Sequence, residues 1–160
     1  MHRESHMAYF FLREDFLALE DKIAEVEEKV RECGREMALS CQEGAETFHD
    51  NFAFEEGERQ QRMWSREYGR LVELHRNARL VDPPTDNTVV ALGKTVTMRD
   101  LETDKSVSYQ IGSFLVFSSV LGRISYESPL ARMIIGRRVG DECTALIAGK
   151  KRSFEIEKIL

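Results

Sequence analysis

Apolar side chains recur at alternating spacings of three and four between Arg13 and Cys41. They are Phe16, Leu19, Ile23, Val26, Val30, Cys33 and Met37, and most of the residues between them are polar or charged. This spacing is typical of a helix that buries one narrow stripe against a partner helix, as in a coiled coil. The pattern therefore predicts a first long helix over these residues.

A second helical pattern runs from about Phe52 to Arg79. Its expected seam positions are Ala53, Gly57, Trp64, Leu71, Leu74 and Ala78, with Trp64 as a core residue. The string QEGAETFHDNF at 42–52 lies between the two patterns and carries Gly, Asn and three acids, which is typical of a tight connection. Together these features predict an antiparallel two-helix coiled coil over 8–80 with its tip near 42–52.

Charge also favours pairing of the two segments. Residues 13–41 carry nine acids and five bases, whereas residues 53–79 carry five acids and six bases. Opposite tendencies of this kind predict salt bridges that flank the seam between the two helices.

The pattern changes to β type after Pro83 and Pro84. The strings TVVALGKTVTMRDL, SVSYQIGSFLVF, ECTALIAG and KRSFEIEKIL are rich in β-branched and aromatic residues and are separated by glycines. We predict a linker at 81–88 and a compact α+β domain at 89–160, with four or five strands. One short helix, PLARMIIG, is expected to have its C-cap at Gly136.

Composition narrows the classes of function. The formal net charge of −5 over 160 residues argues against binding of nucleic acid by overall charge, so stand-alone sequence-specific DNA binding is not expected. No apolar run approaches the roughly 20 residues of a bilayer span, which predicts a cytoplasmic protein with no membrane partner. Three cysteines without CxxC spacing indicate neither a disulfide framework nor a zinc site, and no stably bound cofactor is expected.

Three strings stand in a characteristic order: ARLVDPP at 78–84, SVSYQIG at 106–112 and GRISYESPLARMIIGRRVGDE at 122–142. They resemble the Gre-type (GreA/GreB-like) bacterial transcript cleavage factors. The resemblance implies an antiparallel coiled coil followed by a small FKBP-like α+β domain. It also implies RNA polymerase as the partner, with the globular domain on the rim of the secondary channel and the coiled coil reaching towards the active centre.

The polymerase-docking element of that family is an acidic-Ser-Pro string, which Glu127, Ser128 and Pro129 match. The residue types also suit the start of a helix, because Ser caps helices, Pro favours the first turn and an acid suits the positive end. A helix cap that touches no partner is the alternative interpretation.

The chemistry of the family is cleavage of backtracked RNA by polymerase, assisted by two acids at the coiled-coil tip. Such acids suit an Mg²⁺ ion shared with the polymerase active site. Alignment on Gln60-Gln61 puts Asp50 at one acid position but Thr47 at the other, and Glu46 is the nearest substitute. We therefore predict Asp50 and Glu46 as the catalysis-assisting and metal-holding residues, acting only inside polymerase. A solvated acidic turn is the alternative.

Arginines recur at spacings of three, four and four from Arg59 through Arg62 and Arg66 to Arg70, which places them on one flank of a helix. The family's coiled coil similarly carries a basic patch that touches the RNA 3′ end. Arg59, Arg62 and Arg66 are therefore predicted to contact RNA or polymerase. Salt bridges to the acidic first helix are the alternative.

The resemblance implies two alternative functions, and the FKBP-like fold that it also implies suggests a third. The first is a transcription elongation factor that binds RNA polymerase through the secondary channel and modulates elongation, possessing no enzyme activity of its own but stimulating cleavage of backtracked RNA. The second is a non-cleaving channel-binding regulator or inhibitor of transcription, which Thr47 favours. The third is an FKBP-like prolyl isomerase, which is disfavoured because residues 89–160 offer few aromatic side chains to line a proline pocket.

Overall fold

The fold was obtained as a computed structural model that describes residues 8–43, 52–117 and 122–160. Along the chain the elements are β1 (Tyr9–Phe11), α1 (Arg13–Glu43), α2 (Phe52–Arg76), β2 (Ala78–Leu80), β3 (Thr95–Asp100), β4 (Ser106–Gly112), β5 (Arg123–Ser125), α3 (Pro129–Ile134), β6 (Glu142–Ile147) and β7 (Lys150–Ile159). No helix within the described ranges is long and apolar enough to cross a membrane.

The described residues form two compact units. One unit is Leu17–Asn77, and the other is Ala78–Leu160 together with the described residues that precede Leu17. The division differs from the predicted 8–80 and 89–160 because β1 pairs in parallel with β2, so that Tyr9 lies opposite Ala78. The strand that opens the described chain therefore belongs with the sheet-containing unit.

The seam predicted for the first helix is confirmed. Leu19 and Val26 are fully buried, Cys33 is 6% exposed, and the other seam residues are at least partly buried. Because residues at spacings of three and four share one face of a helix, α1 buries a single stripe along its length.

Contacts between α1 and α2 run in opposite directions along the two helices. Higher numbers on α1 meet lower numbers on α2, in the pairs Glu20–His75, Lys29–Trp64, Gly34–Gln61 and Met37–Gly57. This order confirms the antiparallel coiled coil. A Cβ at Gly57 would lie 2.9 Å from Met37 Cγ, so this glycine gives the methionine its place in the seam.

The end of the second helix was predicted three residues too late. α2 ends at Arg76, and the Asn77 side-chain amide donates to the Glu73 carbonyl oxygen at 3.0 Å. Ala78, predicted as a seam residue, is instead the first residue of β2. A helix terminus depends on the pairing that follows it, and the pairing with β1 could not be inferred from a helical repeat.

The ion pairs of the hairpin differ from the predicted flanking pattern. Within the described part they lie mostly inside one helix, as when Glu25 accepts from both Lys22 and Lys29 at 2.8 and 2.7 Å. These two hydrogen bonds lower the pKa of Glu25 to about 2. Glu20 and His75 form a pair across the two helices at 3.2 Å. Neighbours three and four residues apart are closer in a helix than most residues across the seam, which favours the local pairs.

The predicted α+β domain is confirmed by a five-stranded sheet with α3 on one side. The strand order is β5-β4-β3-β7-β6, antiparallel except where β4 and β5 run in parallel. The main core residues are Val90, Val96, Met98, Ile111, Ala131, Ile134, Cys143, Phe154, Ile156 and Ile159. Buried and more exposed positions alternate along β3, which agrees with the predicted KTVTM alternation and places one face of the sheet under α3.

Candidate functional site

The predicted docking element leads into the first turn of α3. Ser128 is the N-cap residue, with φ −61° and ψ 148°, and its Oγ accepts a hydrogen bond from the Ala131 amide at 3.2 Å. Pro129 follows at the start of the helix and is exposed. The predicted capping role of Ser128 is therefore confirmed, whereas contact of this turn with a partner stays a prediction.

Glu127 stands just before the cap and pairs with Arg132, one turn along the helix surface. The Glu127 side chain is 37% exposed and the Arg132 side chain 65%. A partner that approaches this turn would thus meet the Pro129 ring beside an exposed carboxylate and an exposed guanidinium.

Hydrogen bonds from the neighbouring strand fix the turn that leads into α3. Ser125 Oγ donates to the Phe114 carbonyl at 2.8 Å and accepts from the Glu127 amide at 3.1 Å, while the Ser128 amide donates to the Ser125 carbonyl at 3.0 Å. Sequence reasoning missed Ser125, because a serine three residues before a cap carries no signal of its own. It holds the docking turn on β5.

The cap makes a specific prediction about stability. Ser128→Ala should destabilise the sheet-containing unit by about 1 kcal/mol, because the Ala131 amide loses its acceptor. Ser128→Asp should retain most of the stability, since a carboxylate also caps and favours a helix N-terminus. Urea unfolding of the three proteins measures the difference. Equal losses for Ala and Asp would show that the cap does not stabilise the turn.

At the other end of α3 the predicted C-cap was displaced by one residue. The C-cap is Ile135, and Gly136 follows with φ +82° while its amide donates to the Val90 carbonyl at 2.8 Å. A left-handed residue directly after a helix is most often glycine, which explains why the sequence signal fell on Gly136.

The predicted arginine flank lies on α2. The Arg59 side chain is 74% exposed and the Arg62 side chain 64%, and Arg66 is also exposed. The alternative of salt bridges to α1 is wrong for Arg59 and Arg62, because their partners Glu56 and Glu58 are both on α2. The flank faces solvent, as a contact surface requires.

A groove of about 730 Å³ runs beside this flank within the helical unit. Its lining residues are Lys22, Arg59, Arg62, Met63, Trp64, Arg66, Glu67 and Arg70. The sequence predicted Trp64 as a core residue, but the structure shows it only partly buried, and it forms part of this wall. The prediction failed because indole is too wide for a two-helix seam, which has no third layer to cover it.

The predicted tip residues Glu46 and Asp50, like Thr47, lie outside the described residues. Their role in catalysis and metal binding stays a prediction from the sequence. No group of three or more His, Cys, Asp or Glu side chains suited to a metal ion is present in residues 8–43, 52–117 and 122–160.

A buried polar cluster at the start of α1 was not foreseen. Asp15 is 2% exposed, and its Oδ2 accepts from the Ser113 hydroxyl at 2.5 Å, from the Ser113 amide at 3.1 Å and from Arg123 Nη2 at 3.1 Å. The Leu12 amide donates to Ser113 Oγ at 2.8 Å. An acid in the first turn of a helix is ordinary, so the position of Asp15 in the chain does not indicate that it is buried.

A second cavity, of about 300 Å³, lies in the sheet-containing unit. Its apolar wall includes Tyr109, Leu130 and Phe154, and its polar rim includes Asp100 and Arg152. Burial raises the pKa of the Asp100 carboxyl, but hydrogen bonds from the Glu102 and Thr103 amides and the nearby Arg152 charge outweigh it and lower that pKa. Because the protein's own donors occupy both carboxylate oxygens, Asp100 stabilises the turn after β3 and is not suited to bind a ligand.

Comparisons with known proteins agree with the sequence pattern. The family model for "Transcription elongation factor, GreA/GreB, C-term" matches residues 85–160. A transcription elongation factor GreA of Aliarcobacter butzleri (strain RM4018) is 36% identical over 81 residues, so the match spans 50% of this chain and 50% of that protein.

Longer matches cover both units. The GreA factor of Staphylococcus aureus (strain JH9) is 30% identical over 142 residues, which is 87% of each protein. The crystal structure of GreA factor homolog 1 from Thermus thermophilus aligns with 96% of this chain and 99% of its own, at 21% identity and a TM-score of 0.43. The match to the Staphylococcus aureus protein establishes that the chain belongs to the GreA/GreB family of transcription elongation factors.

Proposed function

We propose that this protein binds RNA polymerase through the secondary channel and modulates elongation as an accessory factor. The observation that carries the proposal is the 142-residue match to a GreA factor, which covers 87% of this chain and so includes residues of both units. In this proposal Glu127, Ser128 and Pro129 contact the channel rim, and the tip at 42–52 approaches the active centre.

The geometry of α3 supports the docking part of the proposal. The cap and the Ser125 hydrogen bonds hold the turn before any partner arrives, so binding requires little ordering of the chain. The exposed Pro129 ring can add an apolar contact, and burying this ring on binding costs no side-chain rotamer entropy. A preformed, partly apolar turn with one acid is suited to a protein surface.

The flank on α2 supports a contact inside the channel. Arg59, Arg62 and Arg66 extend into solvent from one side of the hairpin, where RNA or acidic polymerase walls can reach them. The acids Glu46 and Asp50 would hold an Mg²⁺ ion shared with polymerase, and the ion would supply hydrolytic chemistry at the RNA phosphate.

A second candidate function is a channel-binding regulator that does not stimulate cleavage. Thr47 stands at one of the two acid positions of the family, and a neutral hydroxyl attracts a divalent cation much less than a carboxylate does. The same docking surfaces would serve this function, with occlusion of the channel in place of cleavage.

Purified RNA polymerase stalled on a template in a backtracked state separates the two functions. Retention of the protein on immobilised polymerase together with shortening of the transcript from its 3′ end would support stimulated cleavage, and Asp50→Ala should then abolish shortening but retain binding. Glu55→Ala, an exposed acid in the first turn of α2, is the matched control and should cleave normally. Retention with slowed extension and no shortening would support the second function.

The docking turn is tested in the same retention assay. Glu127→Lys should weaken retention at least fivefold if the turn meets polymerase, whereas Glu102→Lys, an exposed acid of the same unit, should have little effect. Failure of the unmodified protein to bind polymerase would overturn both functions.

A further inference from the structure

One edge of the five-stranded sheet is formed by β6. This strand is last in the strand order, and within the described part of the chain it pairs with β7 alone. Three of its side chains are exposed, and Leu146 among them is 67% exposed although it is apolar. A strand at the edge of a sheet offers a row of unpaired backbone donors and acceptors to any further strand.

The hairpin between β6 and β7 decides which backbone groups point away from the sheet. Ile147 and Lys150 are partners across a two-residue turn, in which Ala148 and Gly149 have φ of +50° and +77°. Residues that flank such a turn exchange two hydrogen bonds, and bonded pairs recur at every second position. The odd-numbered residues of β6 therefore bond to β7. The free edge consists of the backbone N–H and C=O groups of the even-numbered residues, which are Glu142, Thr144 and Leu146.

The free edge lacks the features that usually protect an exposed strand. Natural edges carry a lysine, a proline or a bulge. The sequence of β6 is ECTALI, and its pairing with β7 continues without a shift from Glu142 to Ile147. No backbone hydrogen bond joins the free edge to another residue that the structure describes. The edge is therefore suited to pair with a strand from outside this chain.

The free edge is complementary to a second copy of itself. When two β6 strands lie antiparallel, Thr144 can face Thr144 of the second copy while each Glu142 faces the other copy's Leu146. These are three pairs with two hydrogen bonds each, whereas a shift by two residues leaves only two such pairs within the strands. A Thr–Thr pair across two strands is also favourable. An antiparallel pair of identical strands has two-fold symmetry, so it closes as a dimer.

Charges on the same face of the hairpin favour this pairing. Within one chain Glu142 lies opposite Glu155, where like charges repel, and Lys151 lies opposite Leu146. Both Glu142 and Lys151 are exposed, and neither forms an ion pair with a described residue. In the dimer, Glu142 of one copy would stand two strand spacings, about 10 Å, from Lys151 of the other. The two long side chains could then meet above Leu146 and cover it.

We propose that two copies of this chain associate through β6, with the two-fold axis between their Thr144 residues and the two sheets continuous across it. The proposal goes beyond the role in transcription proposed above and does not depend on it. Because the contact is confined to one strand edge and a few side chains, it belongs to the small and weak class of interfaces. We expect a dissociation constant of about 10–100 µM.

Sedimentation equilibrium of the full chain from about 5 to 500 µM measures the association. Thr144→Pro should weaken it at least tenfold, because the outward amide is lost while the hydrogen bonds to β7 remain. Thr144→Val is the matched control, since both variants lose the hydroxyl that contacts Ser153 but valine keeps the amide. The valine variant should associate within about twofold of the unmodified chain. Circular dichroism verifies that each variant is folded.

Cross-linking with a short bismaleimide tests the alignment of the two strands. The background is Cys41→Ser, because the other two native cysteines, Cys33 and Cys143, are buried. Thr144→Cys should cross-link efficiently, since the two Cα atoms of a hydrogen-bonded pair are about 5.5 Å apart. Glu142→Cys should not, because its two copies are offset by four residues, or more than about 13 Å.

Exchange of charge tests the contact between Glu142 and Lys151. Glu142→Lys and Lys151→Glu should each weaken association about fivefold, because each places like charges together in the dimer. The double variant should associate within about twofold of the unmodified chain. Glu102→Lys, an exposed acid of the same unit outside β6, should have little effect.

The proposal is overturned if the unmodified chain stays monomeric at 500 µM, if Thr144→Pro associates as the valine variant does, or if Glu142→Cys cross-links as well as Thr144→Cys. Failure of the double variant to recover association would also contradict it. A monomer whose retention on polymerase falls with Thr144→Pro would instead assign the free edge to a strand of polymerase. Retention of the unmodified chain is measured separately, so absence of a dimer with retention intact contradicts only this inference.

Discussion

Replacing Asp15 with alanine should destabilise the sheet-containing unit by about 3–5 kcal/mol, because the change leaves a buried guanidinium without its buried anion. The Arg123 side chain is 10% exposed and the Asp15 side chain 3%. Arg123 Nε is buried and already has no hydrogen-bond partner among the described residues. Removal of Asp15 would also take the acceptor from the Ser113 amide and hydroxyl.

The preceding residue supplies a matched control. Glu14 pairs with the same Arg123 Nη2 at 2.7 Å, but its side chain is 62% exposed. Glu14→Ala should therefore cost less than about 1 kcal/mol, as solvent-exposed ion pairs usually do. The two variants remove an acid from the same turn and the same partner, so they differ mainly in burial.

Native-state amide hydrogen exchange in β3 and β7 measures the loss in the unit concerned. Asp15→Ala combined with Arg123→Ala should recover part of the stability lost in the single variant, since the guanidinium that has lost its buried anion is then also absent. Equal protection in the Glu14 and Asp15 variants would show that the pair with Arg123 is as weak as a surface one.

The helical half of the fold could be predicted because the spacing of apolar residues that defines a helix face is local in the sequence. Positions such as Leu19, Val26 and Cys33 lie on one helix face whatever the rest of the chain does, and the structure buries all three. Ala78 was assigned to a helix because the repeat continues to it, whereas its real partner, Tyr9, is 69 positions away (78 − 9). A pairing of that separation has no signature in a local pattern.

In the candidate site too, local features could be predicted and features made by distant residues could not. The Ser128 cap was predictable because its acceptor and donor are three residues apart. The Asp15 cluster was not, since Asp15, Ser113 and Arg123 meet only through tertiary folding. Trp64 was misjudged for a related reason, because its exposure depends on what covers the seam and not on the spacing of apolar residues.

Core packing beneath α3 gives the second large expected effect. Ile134→Ala should destabilise the sheet-containing unit by about 3 kcal/mol, because Ile134 is 0% exposed and belongs to the main core cluster. Ile134→Val, which removes one methyl group, should cost about 1 kcal/mol. Urea unfolding measures both losses.

The adjacent residue makes the test specific. Ile135 is 40% exposed, so Ile135→Ala removes the same atoms but should cost less than about 1 kcal/mol. Because α3 has only six residues, loss of its anchor should also loosen the Ser128 turn, and retention of Ile134→Ala on polymerase should fall more than that of Ile135→Ala. Similar losses of stability for the two alanine variants would show that α3 is not held by its buried face.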